Sequence, residues 1–156
     1  MIQQRRDLTT LTRPVPKVFD AGAHAVADYA TAGAFAALGL YLHRRNRRAA
    51  RLAYANAAAI VGLSMLTDYP GGVFPVLSFR AHGQADLALT ALTAAGPAML
   101  GIANDPAARM FYGAAGMETA IVSSTDWSSG GNGQTDEMYV TPREEWRDGP
   151  EAPWNT

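Results

Sequence analysis

The chain contains no cysteine. That excludes disulfides, thiolate metal sites, covalent haem attachment and a cysteine nucleophile, and it leaves the redox compartment unread. Charge is scarce as well: no charged residue falls from Tyr29 to Leu42 or from Leu87 to Ala103. A soluble Ala-rich bundle should carry a charged face on every helix, so the sequence points away from that architecture. A strongly basic surface is not indicated by a formal net charge of −1, and no nucleic-acid partner is expected. No Ser/His/Asp triad, phosphate-cradling glycine loop or HExxH appears, so the chain is not expected to be an enzyme. No cleavable signal is expected either, because Met1 to Lys17 is polar and charged and meets Pro14 and Pro16 before any apolar run begins.

What is present is a duplication. Shifted by 58 residues, Ala23 to Gly72 lies on Ala81 to Gly130 without a gap, matching His24/His82, Asp28/Asp86, Asn46/Asn104, Arg51/Arg109, Tyr54/Tyr112, Thr67/Thr125, Asp68/Asp126 and Gly72/Gly130. Matched alanines are expected by chance in an Ala-rich chain; matched polar residues are not. Each copy is then one structural unit, and the two together make the fold. At 156 residues the chain is one ordinary domain. It divides into a polar N-terminal segment (1–20), a first repeat (21–72), a linker with the second repeat (73–130) and an acidic tail (131–156). The mean hydropathy of −0.08 blends an Ala/Leu/Gly-rich middle with polar ends. Residues 132–156 hold six acids and two arginines, giving −4 against +3 for the rest.

Four apolar segments stand out, roughly Ala23–Leu42, Leu52–Thr67, Ala85–Ala103 and Ala108–Ser124, two in each copy. They are rich in helix formers and too long for ordinary strands. Turn residues separate them: Asp68-Tyr69-Pro70-Gly71-Gly72, Asn104-Asp105-Pro106 and Ser128 to Gly133. Their lengths approach the ~20 residues of a spanning helix, and Gly33/Ala37, Ala53/Ala57 and Gly116/Ala120 fall at the small-xxx-small spacing of packed membrane helices. The expected fold is all-α, a four-transmembrane-helix bundle built from two tandem parallel helical hairpins related by a pseudo-twofold axis along the membrane normal. Five arginines between Arg44 and Arg51 place that loop inside the cytoplasm and both termini outside it.

The duplication also predicts a site. His24 and Asp28 share a helix face, as do His82 and Asp86, while Asp68 and Asp126 return to the same end from the second and fourth helices. Six ionisable residues should ring one rim. Three readings stay open. The carboxylates tie down turns and hydrogen-bond the imidazoles; or His24 and His82 bind haem or a pigment; or the His/Asp set handles a metal ion or protons. No metal-ligand motif assigns a metal, and the cofactor is left unknown.

Glu118 falls in the middle of the fourth segment, where its repeat partner is Ile60. An acid there should face the bundle or a partner subunit, with Asn56 as a hydrogen-bond companion. The tail contains Pro142, Pro150 and Pro153 yet also Trp146 and Trp154, so it is expected to dock rather than hang free. Trp127 sits where an interfacial anchor belongs.

Gly96-Pro97-Ala98-Met99-Leu100-Gly101, then Asn104-Asp105-Pro106-Ala107-Ala108-Arg109 and a helix with Gly113 and Gly116, resemble the SPW-repeat type of small bacterial membrane protein and its four-helix relatives carrying His-x-x-x-Asp and Thr-Asp-Tyr. The resemblance covers residues 21–130. It departs from the family where Gly96-Pro97-Ala98 replaces Ser-Pro-Trp and where the first copy has Leu38-Gly39-Leu40. It implies a four-helix fold in a bacterial inner membrane and no established catalytic activity. The resulting expectation is a non-enzymatic integral membrane protein, a scaffold or accessory subunit whose two termini contact partner subunits of a membrane complex.

Overall fold

In the computed structural model, residues 14–130 are described. Residues 1–13 and the tail from residue 131, including Trp146 and Trp154 and the partner contacts expected of both termini, lie outside them. The described chain is all-α, with four helices: α1 (Ala21–Leu42), α2 (Arg47–Met65), α3 (Phe79–Met99) and α4 (Ala108–Ser124).

Local chemistry sets the helix limits. The Asp20 side chain accepts from the Ala23 amide to open α1, and Ser78 does the same for Ala81 to open α3. Asn46 caps α2 by accepting from the amides of Arg48 and Ala49. Each such cap satisfies donors that a helix start leaves orphaned. The third helix ends at Gly101, whose φ of 68° is left-handed and open to glycine without a Cβ penalty. The Asn46 side chain also donates to Asp105 at 2.8 Å, tying together the two loops at the arginine-rich end.

Helix α1 packs along α2, α3 along α4, and α2 against α3. The apolar core lies toward the arginine-rich end, where Phe35, Ala49, Ala53 and Phe111 are buried and the two phenyl rings stack 6.4 Å apart. Close approach depends on particular glycines. A Cβ on Gly39 would sit 2.6 Å from the Tyr54 ring, and one on Gly96 would sit 2.7 Å from Leu52. The small-residue pairs read from sequence are used unevenly. Ala53 and Ala57 are buried, whereas Gly33 and Gly116 have nothing within 4 Å of where a Cβ would stand, so they look outward.

At the opposite end the two hairpins clasp each other through bonds that recur 58 positions apart. The Asp68 amide donates to the Leu77 carbonyl and the Asp126 amide to the Phe19 carbonyl, both at 2.8 Å. Parallel bridges join Thr67 to Leu77 and Thr125 to Phe19. The lead-in to α1 is thereby pinned to the end of α4, and the lead-in to α3 to the end of α2. This clasp carries the threonines on which the site depends.

Large apolar side chains project from the outer surface: Val26, Leu40, Leu87, Leu92, Met99 and Met117 are all exposed. Among the described residues, α1 is the helix long and apolar enough to cross a membrane, with 22 residues and a mean hydropathy of 1.3 over its best window. The other three helices have 19, 21 and 17 residues.

Candidate metal centre

His24 and Asp28 lie one turn apart on α1, His82 and Asp86 one turn apart on α3. The clasp brings these two turns face to face, so a spacing that is unremarkable within one helix becomes a four-residue set across two. His24 Nε2 is 3.4 Å from Asp28 Oδ1 and 3.0 Å from Asp86 Oδ2. His82 Nε2 is 3.1 Å from Asp28 Oδ2 and 3.1 Å from Asp86 Oδ2. One donor atom from each of the four residues can be chosen so that all lie within 4.8 Å of one another. Both histidines are fully buried.

The threonines fix the histidine tautomers. Thr67 Oγ1 donates its single proton to the Leu63 carbonyl at 2.7 Å, so it can only accept from His82 Nδ1, which stands 2.7 Å away. Thr125 Oγ1 likewise donates to the Ile121 carbonyl at 2.7 Å and accepts from His24 Nδ1 at 2.9 Å. A hydroxyl has one proton. Each Nδ1 therefore carries hydrogen, and since a carboxylate only accepts, the 3.0 Å hydrogen bond between His24 Nε2 and Asp86 Oδ2 takes a proton on that nitrogen as well; a cation in its place would meet a lone pair there. His82 Nε2 has no aligned hydrogen bond to either acid. Two carboxylates facing two Nε2 atoms at 3.0 to 3.4 Å need positive charge between them, which protons on the rings or a cation in their place supplies.

The two aspartates are not equivalent. Asp28 Oδ2 also accepts from Ser64 Oγ at 3.1 Å and from Tyr69 Oη at 2.8 Å. Burial, reinforced by the Asp28 charge, pushes the Tyr69 phenol far above its ordinary range, so it stays a donor. At the position matching Tyr69 stands Trp127, whose indole donates to the Val122 carbonyl instead. Among the described residues, Asp86 has hydrogen-bond contact with His24 alone, beside its close approach to His82.

Aromatic rings close the end of the bundle over this set. Trp127 lies 4.8 Å from the His24 ring and 4.7 Å from Phe79, while Tyr69 lies 5.3 Å from the His82 ring. Gly83 admits the indole, since a Cβ there would meet it at 2.8 Å.

Of the six residues expected at one rim, four converge and two do not. Asp126 sits at the surface and accepts from the Ser128 amide and hydroxyl, bonds that hold its carboxyl below the usual range. Asp68 is half-buried in the turn after α2, where its amide takes part in the clasp. The residues just before them, Thr67 and Thr125, reach the imidazoles instead. Both were visible as matched positions in the duplication, but a hydroxyl carries little weight in a search for ligands. Replacing both with valine should leave the fold intact while freeing the imidazoles to rotate. Outer partners of this kind contribute about 10–100-fold to metal affinity, so competition with a chelating dye should read a loss of that size in Thr67→Val/Thr125→Val.

Glu118 is buried in α4, and among the described residues neither carboxylate oxygen has a hydrogen-bond partner. Asn56 is not its companion. The Asn56 side chain donates to the Leu52 carbonyl at 2.9 Å and accepts from Thr93 Oγ1 at 2.6 Å. The carboxylate instead lines a small cavity together with His24, Asp28 and Asp86.

Compared with known protein families, curated proteins and solved structures, the chain matches none.

Proposed function

We propose that the protein is an integral membrane bundle, made by duplication of a helical hairpin, that holds one divalent transition-metal ion of the zinc class on His24, Asp28, His82 and Asp86. The observation that carries this reading is the pair of threonines. They hold both Nδ1 atoms as donors, so that once an ion displaces any proton on Nε2, two lone pairs and two carboxylates are aimed at one point. Ligating histidines typically donate their other ring nitrogen in this way. Zinc–ligand distances of about 2.0–2.2 Å imply tetrahedral edges of about 3.3–3.6 Å; the four His–Asp distances, 3.0 to 3.4 Å, are slightly tighter, so seating the ion takes a small outward shift of these side chains. Two neutral imidazoles and two carboxylates also balance a 2+ charge.

A bare ion suits the geometry better than a porphyrin. The imidazole centroids are 5.3 Å apart with rings nearly perpendicular, and carboxylates already stand against both Nε2 atoms. Four protein ligands leave no open coordination position, which fits a non-enzymatic role, such as a metal-holding accessory subunit of a membrane complex.

The outward apolar side chains and the lack of charge along most of each helix support four membrane spans. The arginine loop then faces the cytoplasm, and the metal centre lies near the opposite membrane face.

The test is purification from membranes in mild detergent, followed by metal analysis and cobalt substitution. One divalent ion per chain and the intense visible bands of tetrahedral cobalt are expected. Material that carries no ion and takes up no cobalt overturns the proposal in favour of a proton-bridged network, and a haem absorption band overturns it in favour of the porphyrin. Release from membranes by alkaline carbonate would overturn the spanning assignment.

A further inference from the structure

We infer that the first hairpin carries a seat for one anionic phospholipid of the cytoplasmic leaflet, its phosphate held by Arg44 and Arg45 and its acyl chains laid along Leu40; the inference rests on the four-span reading above and is independent of the metal. At the loop between α1 and α2 lies an open pocket of about 390 Å³ lined by Leu40, Tyr41, His43, Arg44, Arg45 and Tyr54. Its walls are held in place. The Arg45 guanidinium lies 4.1 Å over the Tyr41 ring and donates to the Tyr41 carbonyl at 2.9 Å. Its plane is thereby fixed while its other N–H donors stay available to an oxyanion. Tyr54 lies across α1 because Gly39 has no Cβ, which would meet that ring at 2.6 Å. Among the described residues, no acid forms an ion pair with the arginines of this loop.

Position selects the ligand. Arg44 and Arg45 follow directly on the end of α1, at the level where lipid phosphates lie and where an anionic cytoplasmic leaflet attracts basic residues. Tyr41 and Tyr54 bring exposed amphipathic rings of the kind favoured at that level. Leu40, one helical turn before Arg44, is 72% exposed on the hydrocarbon side. The acidic tail of the chain is not the occupant: it follows Gly130, which stands against Phe79 at the clasp end, across the bilayer from the arginines. The duplication supplies a contrast. At the positions 58 residues beyond Tyr41, His43, Arg44 and Arg45 stand Met99, Gly101, Ile102 and Ala103, whereas Tyr54 is matched by Tyr112. The second hairpin thus keeps the far wall and lacks the groups that bind an anion, so one such lipid per chain is expected.

The experiment mixes the full chain in mild detergent with phosphatidylglycerol or phosphatidylcholine and reads the lipid retained by native mass spectrometry. Wild type should hold one phosphatidylglycerol at least about tenfold more tightly than phosphatidylcholine. Each basic residue near an anionic surface contributes about fivefold, so Arg44→Gln/Arg45→Gln should weaken retention about 25-fold. Tyr41→Leu keeps every charge but removes the ring beneath Arg45, and should weaken it about two- to fivefold. Arg48→Gln/Arg109→Gln removes equal charge from the same end of the bundle but outside the pocket, since Arg48 reaches instead to the Leu100 carbonyl at 3.3 Å; retention should not change. Equal losses in the two double variants overturn the seat in favour of diffuse charge, and so does phosphatidylcholine held as tightly as phosphatidylglycerol. Glycerol phosphate that displaces the lipid at equal concentration overturns it in favour of a soluble phosphate ester. A chain that resists alkaline carbonate yet retains no phosphatidylglycerol overturns the seat alone, whereas a chain released by carbonate overturns the spans and the seat together. If Arg44→Gln/Arg45→Gln does not fold, Tyr41→Leu decides the question.

Discussion

Asp86→Asn should abolish high-affinity metal binding, and chelator should no longer change the thermal stability of the variant. The reason is electrostatic and steric at once. Asp86 Oδ2 stands 3.0 Å from His24 Nε2 and 3.1 Å from His82 Nε2, the one carboxylate oxygen shared by both rings. An amide there removes one of the two charges that balance the ion. It also brings an N–H that can donate to an imidazole lone pair, so the ion-free site becomes satisfied. Wild type at a metal concentration about 1,000 times Kd gains about 4 kcal/mol from the bound ion. At about 2–4 °C per kcal/mol, chelation should lower its Tm by about 8–16 °C. The asparagine variant should melt at one temperature with or without chelator. The same chelator-induced drop in Asp86→Asn as in wild type would remove Asp86 from the ligand set.

Gly72→Ala should be the most damaging added methyl among the described glycines. A Cβ at Gly72 would run into the backbone carbonyl oxygen of Thr67, an atom that cannot swing aside as a side-chain end can. The Gly72 amide donates to the Tyr69 carbonyl at 3.0 Å, so the turn is held where the methyl must go. Overpacking typically costs about 1–3 kcal/mol and occasionally more, and a backbone clash falls at the upper end. The disturbance lands on Thr67 and Tyr69, the groups that position His82 and Asp28. Loss of fold stability should therefore be accompanied by loss of cobalt binding. Gly33→Ala and Gly113→Ala serve as controls, because nothing stands within 4 Å of either Cβ. Alanine in those helices should be neutral or stabilising by up to about 1 kcal/mol. A Gly72→Ala protein that melts with wild type would contradict the packing at the clasp.

The helices were legible from hydropathy in number and in part of their limits. The last runs from Ala108 to Ser124, as read from the sequence. The second and third start earlier than their apolar runs because Asn46 and Ser78 cap them, with arginine in the first turn of each. Hydropathy sees the apolar stretch and overlooks a polar opening turn. At the site, the His-x-x-x-Asp pairs could be placed at one end, but no single-helix spacing reveals that His24 meets Asp86 and His82 meets Asp28. Thr67 and Thr125 were overlooked beside the more conspicuous Asp68 and Asp126. Choosing between them requires knowing which residue of a turn points inward. Glu118 stood out as an acid in an apolar run, whereas the cavity it shares with the centre depends on how four helices meet.

The clasp makes the order of the chain almost irrelevant to the centre. Val18 and Phe19 donate to the Ser124 carbonyl at 2.8 and 3.1 Å, so the described backbone closes on itself like a ring with its two open ends side by side. Each hairpin contributes one histidine, one aspartate and one threonine, and each threonine serves the histidine of the opposite hairpin. Neither half can assemble a tautomer-fixed imidazole alone. An ion seated among the four residues would therefore report that the halves have met, and the centre would work as a latch whose closure is the joining of two hairpins.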